Sequence, residues 1–113
     1  MRRALLMAVL VGCASAQASM PRSRAYLRVR NDHWLEQVVY ADCGAHIRMG
    51  AAGSMRETLL KVPRECEDRS VSFSTDPIGS AEVSRSDAVE ARPGDVLRLH
   101  VPAFFNGYLF LSR

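Results

Sequence analysis

Lysine is almost missing from this chain. Lys61 is its only representative among 15 basic residues, and a GC-rich genome accounts for that bias more simply than phosphate recognition does. No apolar run approaches the ~20 residues of a membrane-spanning helix, so no permanent helical anchor is expected. None of the 3 cysteines forms a Cys-x-x-Cys, which argues against a metal or redox pair. No serine sits in a nucleophile elbow, and the acidic cluster Glu65, Glu67 and Asp68 lacks the spaced oxygen ligands and the glycine of a calcium loop. Catalytic residues are therefore not expected, and neither is a metal or any other cofactor.

A strong positive field is missing as well. The chain carries 15 Lys plus Arg against 12 Asp plus Glu, and setting aside Arg2 and Arg3 leaves 13 against 12. At that balance nucleic acid is not an expected partner. The remaining arginines alternate with apolar residues, as in Leu27-Arg28-Val29-Arg30, the pattern of strands with one solvated face.

What is present begins with an export signal. Arg2 and Arg3 form a basic start, residues 4–11 (ALLMAVLV) an apolar stretch, and small residues follow. Two cleavage signals overlap there. Leu10-Val11-Gly12-Cys13 fits a lipobox, in which Cys13 is acylated and becomes the mature N-terminus, while Ala16-Gln17-Ala18 fits ordinary signal peptidase. The expected organisation is a signal over residues 1–18 (1–12 in a lipoprotein), a small, polar, flexible tether over 13–24, and one domain over 25–113. Cys13 is lipidated or lost, leaving Cys43 and Cys66 as an even pair expected to bridge in an oxidising compartment. Ala14 suits outer-membrane sorting; release into the periplasm or medium is the other destination.

Along the mature chain the period is two. Strands are expected over residues 27–30, 35–41, 45–49, 58–62, 71–75, 81–85, 88–91 and 96–101, with turn chemistry between them. Arg92-Pro93-Gly94-Asp95 suits a type II turn, and Asn106-Gly107 a two-residue hairpin joining Phe104-Phe105 to residues 108–111. Residues 50–54 (GAAGS) read as a loop. A rival helix over residues 54–61, with Ser54 and Glu57 placed as a capping box, is short for a helix. Seven or eight short strands with no helical period predict an all-β fold, a small immunoglobulin-like antiparallel β-sandwich.

The landmarks Asn31-Asp32-His33-Trp34, Ile47-Arg48-Met49-Gly50, Gly53-Ser54-Met55, Asp76-Pro77-Ile78-Gly79-Ser80 and Arg92-Pro93-Gly94-Asp95-Val96 share an order and spacing. In these the chain, from about residue 24 to its end, resembles a group of small bacterial exported proteins, often with lipoprotein-type signals. The resemblance implies an immunoglobulin-like sandwich, lends no activity and no functional residues, and does not include Cys43 or Cys66.

One spacing invites chemistry. Cys43-x-x-His46-x-x-Met49 reproduces the ligand loop of some blue-copper proteins, and His33 or His100 could complete a ligand set. Against this, a strand over 45–49 points His46 and Met49 to opposite faces, and Cys43 has a disulfide partner. The three histidines read as isolated surface or strand-edge residues, and Trp34 as a core or rim residue. Phe104, Phe105, Tyr108 and Phe110 form a candidate interaction surface if the last hairpin is exposed, or close the core if it is not. The leading expectation is a non-enzymatic envelope protein, lipid-anchored to the membrane, acting as an interaction or structural module toward an envelope protein partner. The alternative is a periplasmic cupredoxin-like protein that binds copper or transfers electrons.

Overall fold

A computed structural model describes residues 23–80, 82–104 and 106–113. The expected signal, Cys13 and Phe105 lie outside the described residues. The chain forms a β-sandwich of nine short strands: β1 (Tyr26–Asn31), β2 (Gln37–Asp42), β3 (His46–Ala52), β4 (Arg56–Lys61), β5 (Arg69–Pro77), β6 (Ser84–Arg85), β7 (Val89–Ala91), β8 (Val96–Val101) and β9 (Phe110–Ser112). A 3₁₀ turn, Arg64–Cys66, links β4 to β5. One sheet runs β4-β1-β8-β9; the other runs β3-β2-β5-β6, with β7 also pairing β5.

Alternation builds the core. Leu27 and Val29 of β1 and Leu97, Leu99 and Val101 of β8 point inward from the first sheet. Val39 and Ala41 of β2, Ala52 of β3, and Val71 and Phe73 of β5 meet them from the second. Among the described residues all pairings between named strands are antiparallel except one: β1 and β8 run parallel, Leu27 beside Leu97 and Val29 beside Leu99. The expected all-β sandwich is thus dominated by antiparallel pairing but not wholly antiparallel, and it has nine strands where seven or eight were expected.

Several boundaries moved for identifiable reasons. The loop expected at residues 50–54 is largely strand, because Met49 is an extra residue opposite the step Val39/Tyr40 and the bulge carries β3 on to Ala52. Gly50 makes this possible: its φ of 153° is disfavoured for other residues, and a Cβ there would lie 3.1 Å from Leu60. Residues 56–61 are strand rather than helix; Ser54 donates to the His33 carbonyl instead of capping. The turn at Arg92–Asp95 forms, with Gly94 at φ 95° and the Asp95 amide donating to the Arg92 carbonyl.

The two-residue hairpin at Asn106-Gly107 does not. Pro102 follows β8, and β9 begins only at Phe110, so β8 and β9 pair antiparallel across a longer connection. Asn106 instead accepts from the Tyr108 amide, and the turn docks on Arg85, whose amide donates to the Gly107 carbonyl.

Cys43 and Cys66 form the expected disulfide, with an S–S distance of 2.00 Å and Cα atoms 5.5 Å apart. It fastens the end of β2 in one sheet to the link that leaves β4 in the other. The neighbouring Glu67 carboxylate accepts the Ala25 amide at 2.7 Å, so the start of β1 hangs on the same knot.

Candidate functional site

The parallel register of β1 and β8 creates the most distinctive surface. Both strands carry the same alternation, Leu27-Arg28-Val29-Arg30 and Leu97-Arg98-Leu99-His100, and they pair residue for residue. Their leucines and valine enter the core together. Arg28 therefore stands beside Arg98, and Arg30 beside His100, on the outer face. Flanking strands complete it: β4 places Leu59 next to Arg28 and Glu57 next to Arg30, while β9 places Ser112 next to Arg98 and Phe110 next to His100. The result is an open trough of about 500 Å³ between these side chains.

Charge on this face is only partly neutralised. Arg28 pairs with Glu57 at 3.2 Å and Arg30 with Asp32 at 2.8 Å, both half-exposed. His100 Nε2 lies 2.7 Å from the other Asp32 oxygen, and its ring stacks at 6.1 Å on Phe110. Arg98 is exposed and has no ion-pair partner among the described residues. The near-balance of acids and bases in the sequence thus hides an uneven distribution.

Asp32 is held in place by the turn between β1 and β2. Buried Asn31 donates to the carbonyls of Leu35 and Ala52 and accepts the His33 amide, which fixes this turn. The hydrogen bond with His100, and after it that with Arg30, keeps the Asp32 carboxyl below its ordinary range. A carboxyl that ionises more easily folded than unfolded stabilises the fold above its unfolded pKa of about 3.9, and the benefit fades as pH falls through the lower folded value. Asp32→Asn is therefore expected to lower the melting temperature at about pH 6, the gap to the parent closing as pH drops below the unfolded value of about 3.9. Melts across that range check this; a gap that stays constant with pH would mean that ionisation of Asp32 is not the cause.

The expected interaction residues do not form one patch. Phe110, 60% exposed, lines the trough. Phe104, 85% exposed, stands near His33 and Pro102 at the end of the sandwich, and Tyr108, 72% exposed, follows the turn that docks on β6. Trp34 is no core residue: it lies in the β1–β2 turn and is 73% exposed.

The copper-loop residues are dispersed. Cys43 is bonded to Cys66, His46 is exposed and paired with Asp42, and Met49 packs against the core from the opposite face of β3. His33 and His100 belong to the β1–β2 turn and the outer trough. Among the described residues no group of three or more His, Cys, Asp and Glu side chains is placed to hold a metal. Nor are the histidines isolated: His33 is buried and accepts the Leu35 amide, and His46 stacks at 4.1 Å on Tyr40. Asp42 also accepts the Ser74 hydroxyl at 3.0 Å, so the order is Ser–Asp–His, with no histidine placed to take the serine proton.

The arginines of the trough were visible in the sequence as a solvated face; their convergence was not. The available signal was the repeated Leu-Arg-apolar-basic pattern at 27–30 and 97–100, which two strands in parallel register bring side by side. No protein family, no curated protein and no solved structure matches this chain.

Proposed function

We propose that this protein is an exported, non-enzymatic binding module of the cell envelope, tethered by lipid on Cys13, whose working surface is the outer face of the β4-β1-β8-β9 sheet and whose partner is anionic. One observation carries the choice of face: Arg28 and Arg98 stand side by side, and among the described residues no acid partners Arg98. Like charges next to each other on a sheet cost stability. A fold shaped for stability alone has no use for that row, whereas a surface that receives carboxylate or phosphate does. The disulfide and the signal-like first residues support export.

Arg98→Glu tests this reading. A glutamate there gains Arg28 as a neighbour, so the melting temperature should hold or rise, the pair contributing about 0.2–1 kcal/mol. A loss exceeding about 1 kcal/mol would make Arg98 a structural residue and remove the case for this face.

A further inference from the structure

We infer, resting on the binding face proposed above, that the anionic partner is an acidic saccharide, its acid group held by Arg28 and Arg98 and a sugar ring laid against Phe110. The floor of the trough directs the choice. β1 is paired on both sides, by β4 and β8, and β8 likewise by β1 and β9. On the floor of the trough the backbone groups of β1 and of Arg98–His100 are taken up by the ladders, so a ligand lying across them is not read by main-chain hydrogen bonds, as a peptide is at an open edge. Recognition falls to side chains.

Those side chains form a consistent set. Two guanidinium groups, Arg98 and Arg28, the latter with its Nε on Glu57, offer planar forks whose remaining N–H donors match a carboxylate or phosphate. Glu57 accepts, and Ser112 both donates and accepts, which suits hydroxyl groups at the margin. Phe110, exposed and braced by His100, presents a ring whose electron-rich face attracts the weakly positive C–H face of a sugar. A volume of about 500 Å³ falls within the usual range of small-molecule sites. The acids Glu57 and Asp32 on the same face work against a long phosphate backbone. Charge complementarity selects an anion; the ring and hydroxyl-binding groups select a sugar.

The exported protein is titrated with a galacturonate oligomer, a neutral glucose oligomer of equal length, polyglutamate and inorganic phosphate, followed by amide shifts in NMR. The galacturonate oligomer should bind at the amides of Arg28, Arg98 and Phe110. The neutral sugar should bind at least about tenfold more weakly. Arg98→Gln and Phe110→Ala should each weaken galacturonate binding about tenfold while leaving the melting temperature nearly unchanged. Polyglutamate or phosphate binding as tightly as galacturonate, with no effect of Phe110→Ala, would overturn the saccharide and leave the anionic face standing. If none of the three anions bound, both readings would fall.

Discussion

Reduction of the Cys43–Cys66 bridge is expected to cost about 3 kcal/mol of stability, the chain-entropy value for a loop of this length. For a domain of this size that lowers the melting temperature by more than about 10 °C. It is a large fraction of a total that for small domains is about 5–15 kcal/mol. The loss should reach beyond the two sulfurs. Cys66 is fully buried in the 3₁₀ turn, and next to it Glu67 holds the Ala25 amide. Freeing the turn therefore loosens the first residues of β1, the strand that carries Arg28 and Arg30. Melts with and without reductant, alongside the Cys43→Ser/Cys66→Ser double variant, measure it. Thiols that react in the native, oxidised protein, or a shift of only a degree or two, would show that the bridge is not what holds this corner.

Local chemistry made most of the sandwich legible in the sequence. Period-two alternation marked β1, β2, β5 and β8, and the Arg92–Asp95 turn declared itself through Pro93 and Gly94. Where local and long-range forces compete, the reading failed. Asn106-Gly107 has hairpin chemistry, yet the docking of Gly107 and Leu109 on Arg85 keeps the turn away from β8. Residues 50–52 resemble a loop until the bulge opposite Val39 and Tyr40 supplies their strand partner. Trp34 has the area of a core residue, but buried Asn31 shapes a turn that projects it outward. The trough was the least legible feature, since it exists only through the register of two strands some 70 residues apart, and register is not written in either strand alone.

Two phenylalanines now make opposite predictions. Phe73 sits at the centre of β5, fully buried between the sheets and among the largest side chains with no exposure. Phe73→Ala removes a ring from a closely packed interior that can collapse only in part, and is expected to cost about 3–5 kcal/mol. Phe110 was expected to close the core if the last strand was buried. It instead projects from the outer face of β9, while Leu109 and Leu111 of the same segment turn inward. Truncating it forfeits little more than the stack on His100, so Phe110→Ala should stay within about 1 kcal/mol of the parent. Denaturant unfolding of the two variants separates these cases. A large loss at Phe110 would place its ring in the core and leave the trough without its platform. A small loss at Phe73 would mean that the two sheets do not pack as described. The expected pairing, severe at Phe73 and slight at Phe110, marks an exposed ring that stability does not require, on the same face as Arg98, which has no ion-pair partner among the described residues.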